Sequence, residues 1–370
     1  MIAHDGTLTL RRIARSSDRT ATELGLPVRP DVVLDWPRSR HISVGMRAYA
    51  DAMARLVPQI APDLRTLVIE RETTASLAEQ LTLPGALARA NGRLIHHLSP
   101  YAPLLGPVPF VITIHDLVHL RYPSHFKATV PYYYRSIVRR VCAAAARVIV
   151  DDDRTTADLA LYLDVDPAKV RAIPLGVDER FRATEIAPYL NALPSAPDRP
   201  RPYLLYAGNH RAHKDLPTLF AAWAALPESL ELDLLLTGPD DFAGTPLPWR
   251  RSSAMRVLGE VPAERLPALY RGAAALVHPA LCEGFGLTLV EAAAVGTRVI
   301  ACEDAVPSLV APHVETFPAR DHRRLAELLA VAPDAARIAA ARTIARDLTW
   351  ERCARATAEV YREVLAQSKA

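Results

Sequence analysis

Short apolar runs alternate with amphipathic stretches along most of the chain, and this alternation predicts strands separated by helices. In the first half, strands are predicted at residues 31–36, 64–70, 93–96, 110–114 and 147–150. A helix is predicted from Met46 to Leu56, after a loop that follows the first strand and ends at Gly45. Such alternation is typical of a doubly wound sheet whose parallel strands are joined by crossover helices.

A second series of alternating elements begins at residue 203. Strands are predicted at residues 203–207, 232–237, 255–259, 274–278 and 297–301. The stretch between the two series, residues 183–202, contains Pro188, Pro194, Pro197, Pro200 and Pro202. Proline at this density prevents regular pairing and indicates a linker. We therefore predict two α/β domains, residues 31–182 and 203–347, joined by a proline-rich linker.

The two ends of the chain fit neither series. Residues 1–30 are polar, rich in Arg and Thr and poorly patterned, so we expect an N-terminal extension or a peripheral first strand. Residues 348–370 include an amphipathic stretch with Trp350 and Tyr361, which predicts a terminal helix that packs back toward the first domain.

Composition narrows the class of protein. The 370 residues, half of them hydrophobic, suffice for two cores. The net charge of +3, from 44 basic and 41 acidic residues, argues against a nucleic-acid partner. No apolar run approaches the roughly 20 residues of a membrane span, and no signal peptide is recognised, so a cytoplasmic protein is expected. The aromatic and basic run at 132–140 leaves open peripheral contact with the inner membrane face, although an ordinary surface helix explains it as well.

The stretch from 278 to 302 carries the strongest chemical signal. It has the pattern of a strand end, a loop with Gly284 and Gly286, an alanine-rich helix with Glu291, and a second strand. Glycines ahead of a helix admit a ligand to the backbone, and the first helical amides bind anions. Glu283 and Glu291 would repel a bare phosphate, but ionised carboxylates accept hydrogen bonds from diols. The pattern favours a nucleotide-sugar. Alternatively, Glu283 is an exposed loop acid and Glu291 a first-turn or capping acid.

Polar residues follow two other predicted strands at their carboxyl ends, where ligands bind to open parallel sheets. The loop at 208–214 contains Arg211 and Lys214, whose charges beside a helix N-terminus would stabilise a diphosphate. A solvated basic loop is the alternative. His115 follows the strand at 110–114.

Neither the acidic run nor the cysteines predict a metal site. Asp151, Asp152 and Asp153 precede a predicted helix, and we interpret the run as its cap, because aspartate is a preferred N-cap residue. The four cysteines lack the spacing of a zinc site or a disulfide framework, so we expect reduced, mostly buried thiols.

Taken together, these stretches resemble the retaining glycosyltransferases of family 4, which have the GT-B fold. The central motif is Glu-x7-Glu, from Glu283 to Glu291, and the resemblance covers residues 31–365. Supporting stretches are VITIHDL at 111–117, PLGVDERF at 174–181, YAGNHRAHKDL at 206–216 and LGEVPAERLPALYRGA at 258–273. The resemblance implies two Rossmann-like domains facing across a cleft. It also implies metal-independent transfer of a sugar, with retention, from a nucleoside-diphosphate sugar to a glycan or lipid-linked acceptor, as in polysaccharide biosynthesis.

The resemblance also implies roles for individual residues. Glu283 would bind hydroxyls of the donor sugar, Glu291 would hold the ribose, and Lys214 and Arg211 would neutralise the diphosphate. His115, from the other domain, would reach the donor sugar across the cleft. Further donor contacts are implied for Gly45, Gly208, Val261, Gly284, Phe285, Gly286 and Leu287. Two positions depart from the family pattern, because Asn209 replaces a common arginine and Thr288 a common proline.

The donor is the least defined part of this interpretation. The loop at 208–214 resembles that of mannosyl and rhamnosyl transferases, which suggests a GDP-sugar such as GDP-mannose, with no further cofactor. Two other functions stay open: a nucleotide-sugar epimerase on the same fold, or a non-catalytic partner subunit that binds nucleotide-sugars. The sequence does not indicate the linkage formed or the oligomeric state.

Overall fold

The computed structural model describes residues 9–12, 29–38, 42–72, 77–183, 201–227, 230–239 and 254–368. The chain divides into two compact units, a first unit of residues 1–176 with 350–370 and a second unit of residues 177–349. Nearly all of the predicted linker, and most of the predicted N-terminal extension, lie outside the described residues.

The first unit is built on a seven-stranded sheet. Its strands are β1 (Thr9–Arg12), β2 (Val32–Arg38), β3 (Thr66–Glu72), β4 (Leu94–His97), β5 (Phe110–Ile114), β6 (Arg147–Val150) and β7 (Val170–Ala172), in the order β1-β3-β2-β4-β5-β6-β7. All neighbouring strands are parallel except β1, which pairs antiparallel with β3 at the edge. Residues 9–12 therefore form a peripheral strand, which is one of the two forms expected for residues 1–30.

Helices cover both faces of this sheet. They are α1 (Val44–Ile60), α2 (Leu77–Arg89), α3 (Val118–Arg121), α4 (Thr129–Tyr133), α5 (Arg139–Ala144), α6 (Asp153–Leu163) and a terminal helix (Trp350–Gln367). One face packs its aliphatic residues against α2, α4, α5 and α6 in a continuous apolar cluster. The terminal helix packs against α1 and β4 of the same unit.

The start of α1 corrects the prediction for Gly45. Ser43 caps the helix by accepting a hydrogen bond from the Met46 amide at 3.3 Å, so the helix begins at Val44. Gly45 is then the second helical residue. The expectation that it ends the loop before the helix is wrong. The predicted start, Met46, lies two residues too late because the serine cap had not been recognised.

The second unit contains a six-stranded, wholly parallel sheet. Its strands are β8 (Tyr203–Tyr206), β9 (Asp233–Leu236), β10 (Met255–Val257), β11 (Ala275–His278), β12 (Val299–Cys302) and β13 (Glu315–Phe317), in the order β10-β9-β8-β11-β12-β13. Its helices are α7 (Glu179–Arg182), α8 (Leu216–Ala224), α9 (Leu266–Gly272), α10 (Leu287–Val295), α11 (His322–Ala330) and α12 (Ala335–Asp347). The predicted pair of doubly wound α/β domains is thus confirmed.

The aromatic and basic run at 132–140 forms a continuous helical segment, in which a π-helical turn (Tyr134–Val138) joins α4 to α5. Tyr132, Arg135 and Arg140 are exposed along it, whereas Tyr134 and Val138 are buried. Among the described residues, no helix combines the length and apolar character needed to cross a bilayer.

Candidate functional site

The order of strands in the second sheet creates a topological switch point between β8 and β11. The chain builds the sheet outward from β8 in one direction through β9 and β10, and then returns to place β11 on the other side of β8. Loops leaving such a pair of strands diverge at their carboxyl ends and form a crevice suited to ligands. Lys214 follows β8 and Glu283 follows β11, so this topology brings the two predicted site residues together.

Glu283 is the centre of a buried charged cluster. Its Oε1 accepts hydrogen bonds from Lys214 Nζ and, at 2.8 Å, from His278 Nε2. The Lys214 and Glu283 side chains are only 11% and 16% exposed. Burial opposes ionisation of Glu283, but the Lys214 charge and the His278 hydrogen bond outweigh it and lower the pKa of the carboxyl well below its ordinary value. The alternative of an exposed loop acid is therefore wrong.

His278 is a member of this cluster that the sequence interpretation did not assign. It is the last residue of β11, and its ring stacks on Tyr206 with 6.3 Å between centroids and 13° between planes. The signal was present, since a histidine at the carboxyl end of a buried strand is the pattern that singled out His115.

The N-terminus of α10 lies where the sequence predicts an anion site. Gly286 is its N-cap in the left-handed conformation, with φ of 75°. A Cβ there would lie 2.9 Å from Leu289 Cδ1 and 3.2 Å from the Ala305 carbonyl oxygen, so glycine is needed for space as well as for conformation. The first intrahelical bond is donated by the Leu289 amide to the Gly286 carbonyl. The amides of Leu287 and Thr288 precede it and have the geometry that binds phosphates.

Glu291 lies deeper in the helix than expected. It is the fifth residue of α10 and lies just past the first turn, so the alternative of a first-turn or capping acid is wrong. Tyr270 donates its hydroxyl hydrogen to Glu291 Oε2 at 3.2 Å. Burial, with a smaller contribution from nearby Asp178, raises the pKa of Glu291 to about 8. Without a ligand this carboxyl is mostly protonated at neutral pH, which sequence reasoning did not anticipate.

The loop after β8 is held by hydrogen bonds to the end of β9, to β8 and within the loop itself. The Gly208 amide donates to Thr237 Oγ1 at 3.1 Å, and the Tyr206 hydroxyl donates to the Asn209 carbonyl. Asn209 Oδ1 accepts from the amide of Arg211 at 3.3 Å, while the Arg211 side chain is exposed. Asn209, which departs from the family pattern, thus shapes the loop that presents Lys214.

Val261, one of the donor contacts implied by the resemblance and the one expected to lie against the base, is in the turn after β10. It follows Gly259, whose carbonyl accepts a hydrogen bond from the Gly238 amide at 2.9 Å in an isolated bridge after β9. Val261 is partly buried and close in sequence to the carboxyl end of its strand. Its contact with a base stays a prediction.

In the first unit, His115 is held by a carboxylate. Its Nδ1 lies 2.8 Å from Asp151 Oδ2, and its Nε2 is buried without a hydrogen-bond partner among the described residues. Burial opposes protonation of His115, but Asp151 outweighs it and raises the pKa of the imidazole above its ordinary 6.5. Asp152 caps α6 by accepting from the Arg154 amide at 3.0 Å, which confirms the cap interpretation for this residue of the acidic run.

The family comparisons match both halves of the chain. Residues 38–181 match the model described as Glycosyltransferase Family 4, and residues 201–333 match the model described as Glycosyl transferases group 1. The chain resembles the family 4 glycosyltransferases, as its motifs predicted. The resemblance therefore extends well beyond the Glu-x7-Glu motif.

Curated relatives of the chain are named as glycosyltransferases. A D-inositol 3-phosphate glycosyltransferase of Saccharomonospora viridis is 28% identical over 287 residues, which cover 70% of this chain and 65% of the relative. An O-antigen chain mannosyltransferase B of Escherichia coli is 27% identical over 279 residues, covering 68% of this chain and 70% of the relative. The chain spans 60–65% of the length of the D-inositol 3-phosphate glycosyltransferases matched first.

Solved structures confirm the fold. The sucrose-phosphate synthase of Thermosynechococcus elongatus has a TM-score of 0.68 at 21% identity, covering 92% of this chain and 100% of that one. Anabaena HepE, solved in complex with UDP and glucose, has a TM-score of 0.66 at 16% identity, covering 90% and 99%. At these identities the likeness concerns the two-domain architecture alone, which is the GT-B type that the motifs implied.

Proposed function

We propose that the protein is a retaining glycosyltransferase that moves a sugar from a nucleoside-diphosphate sugar to a glycan or lipid-linked acceptor. The observation that carries this proposal is the cluster at the switch point of the second unit. There a buried carboxylate, Glu283, precedes the N-terminus of α10 in sequence and accepts a hydrogen bond from a lysine, Lys214, of the loop after β8. The family matches in both halves of the chain support the same conclusion.

Each part of the donor has a suitable partner in the second unit. The diphosphate would accept hydrogen bonds from the first amides of α10 and from Lys214, with Arg211 as a further cation. The ribose diol would donate to Glu291 once that carboxyl is ionised, and the sugar hydroxyls would donate to Glu283. Lys214 and the helix dipole would compensate the diphosphate in place of a divalent cation.

In the proposed reaction, the bond from the anomeric carbon to the diphosphate breaks and a bond to the acceptor oxygen forms on the same face. The leaving phosphate takes the acceptor's proton, so no carboxylate nucleophile is required. Negative charge grows on the diphosphate as it departs, and Lys214 would stabilise it most at that point. This role explains why the lysine is held next to the donor-binding elements even without ligand.

Replacing Lys214 tests the proposal. We expect Lys214→Ala to lower kcat on the order of a hundredfold or more while the donor Kd changes less than tenfold. The assay is acceptor-dependent release of nucleoside diphosphate, with titration calorimetry for donor affinity. Lys127→Ala, at an exposed lysine, is the matched control and should behave as the wild type. Loss of donor affinity with unchanged turnover would contradict the assigned role.

The donor panel must contain both UDP- and GDP-sugars. A relative in E. coli is named a mannosyltransferase, in line with a GDP-mannose donor, whereas HepE was solved with UDP and glucose. The same panel separates the reaction classes, because an epimerase would isomerise its donor without an acceptor and a partner subunit would only bind it. No observation on the molecule favours either of these two functions.

Peripheral membrane contact belongs to the same proposal. The exposed Tyr132, Arg135 and Arg140 on the helical segment at 129–144 present an aromatic ring and two cations to solvent. Such a surface suits an anionic bilayer. Co-sedimentation with vesicles containing anionic lipid should exceed that with neutral vesicles, and an Arg135→Glu, Arg140→Glu variant should lose the difference.

A further inference from the structure

We propose that His278 is a positioning residue that orients Glu283 toward the donor sugar and so leaves Lys214 able to serve the diphosphate. The inference rests on the proposed function and adds to it a residue outside the Glu-x7-Glu motif. His278 would not touch the reacting atoms itself.

The hydrogen-bond pattern shows which ring nitrogen of His278 donates to Glu283. Its Nε2 lies 2.8 Å from Glu283 Oε1, and because an ionised carboxylate only accepts, Nε2 carries the hydrogen. Its Nδ1 is buried and has no hydrogen-bond partner within the described part of the chain. Nε2 is therefore the ring nitrogen that donates to the carboxylate. Only 1% of the residue is exposed, and its stack on Tyr206 fixes the plane of the ring.

Both donors bind the same oxygen of Glu283. Lys214 Nζ and His278 Nε2 each donate to Oε1, and across the described residues no hydrogen bond is made to Oε2. The carboxylate is thus anchored by one oxygen and keeps the acceptor capacity of the other. In a nucleotide-sugar complex, that second oxygen is the one that can accept from a sugar hydroxyl.

Lys214 and His278 differ in how they constrain the orientation of the Glu283 carboxylate. A lysine ammonium is a point charge on a flexible stem, and it sets no particular direction for its partner. The imidazole is rigid, packed and directional, so it determines how the carboxylate is turned. A carboxylate with a single buried partner would depend wholly on Lys214 for compensation. The hydrogen bond from His278 shares that task, and the remaining N–H groups of Lys214 stay available to the diphosphate.

Two substitutions of His278 distinguish the role of its hydrogen bond to Glu283 from the role of its packing against Tyr206. His278→Phe keeps an aromatic ring against Tyr206 but has no donor for Glu283. His278→Gln loses the ring, yet its side-chain nitrogen is separated from Cα by the same number of bonds as Nε2 of histidine and can donate to the same oxygen. A positioning role predicts that the glutamine variant is the better of the two, whereas a purely structural role predicts the opposite.

The test measures binding and turnover with the intact protein. We expect His278→Phe to weaken binding of the nucleoside-diphosphate sugar at least tenfold, to change binding of the nucleoside diphosphate itself less than threefold, and to lower kcat on the order of a hundredfold. His278→Gln should recover most of both losses. His322→Phe, at an exposed histidine of the same unit, controls for the chemistry of the substitution.

Several results would overturn the inference. One is that His278→Phe and His278→Gln are equally impaired or equally active. Another is that His278→Phe weakens binding of the nucleoside diphosphate as much as binding of the nucleoside-diphosphate sugar. A further one is a 15N spectrum of the wild type showing the His278 hydrogen on Nδ1. Failure of the proposed function would look different, since the wild type would then neither transfer nor bind any sugar nucleotide, while the 15N tautomer could still be read.

Discussion

Glu291→Gln should make the second unit more stable at alkaline pH while it weakens nucleotide binding. Glutamine has the shape of a protonated glutamate, keeps an acceptor for the Tyr270 hydroxyl and cannot ionise. The pKa of Glu291 is about 8 against an ordinary value of 4.5, so the folded protein prefers the protonated acid. That preference stabilises the fold fully below about pH 4.5 and is lost as the pH rises through 8.

The magnitude follows from the pH difference. Each pH unit between the folded and ordinary pKa corresponds to about 1.4 kcal/mol. At pH 6, two units below the pKa of Glu291, protonation still stabilises the fold by about 3 kcal/mol. At pH 9 almost none of this remains. The free energy of unfolding of the wild type should therefore fall by about 3 kcal/mol from pH 6 to 9 through this residue, and that fall should be absent in the glutamine variant.

Hydrogen exchange resolves this effect locally. Peptides that cover α10 report the opening free energy of the helix that carries Glu291, at a series of pH values after correction for intrinsic exchange rates. Glu303→Gln is a matched control, because Glu303 is an exposed glutamate in the same unit. The reasoning is refuted if Glu291→Gln keeps the wild-type pH dependence or is less stable than the wild type at pH 9.

The same pKa couples nucleotide binding to proton release. Glu291 must lose its proton before both carboxylate oxygens can accept from a ribose diol. Donor affinity of the wild type should therefore increase between pH 6.5 and 8, and calorimetry in buffers of different ionisation enthalpy should detect a released proton. Glu291→Gln should bind more weakly and without this pH dependence.

Two further substitutions probe the two units separately. Gly286→Ala should cost about 1–3 kcal/mol of stability in thermal unfolding, since a Cβ would meet Leu289 at 2.9 Å and φ is 75°; Gly85→Ala, where a Cβ meets nothing within 4 Å, should not destabilise. Asp151→Asn should lower the pKa of His115 from its raised value, because it removes the carboxylate that favours the imidazolium. An NMR titration of His115 that shows no downward shift would contradict this.

Most of the fold was predictable because buried parallel strands leave a strong pattern. Runs such as Phe110–Ile114 are buried throughout and apolar except for Thr113, since both faces of the strand are covered. The strand β13 was not predicted, and β1 was predicted only as one alternative without bounds, because both lie at sheet edges, are three or four residues long, and have largely polar sequences. An edge strand is held by backbone pairing to one neighbour, so its side chains carry little signal.

The residues of the candidate site could be predicted from the sequence, but the protonation states of its two acids could not. The Glu-x7-Glu spacing and the glycines identified Glu283, Gly286 and Glu291 from local sequence alone. Whether each acid is ionised depends on burial and on partners far away in the chain, such as Tyr270 for Glu291 and Lys214 for Glu283. Such partners follow from the strand order, which the periodicity of the sequence does not determine.

The switch points of the two sheets show why residue type alone could not identify the site. In the first unit the switch point lies between β2 and β4, and the buried Asp35 of β2 contacts His97 of β4 at 2.7 Å and Arg71 of β3 at 2.6 Å. Both Asp35 oxygens are used, so this cluster satisfies itself and is structural. Glu283 also has a basic residue and a histidine as partners, Lys214 and His278, but both donate to the same carboxylate oxygen. We therefore propose the second switch point as the binding site because of this unused acceptor, rather than because a charged cluster is present.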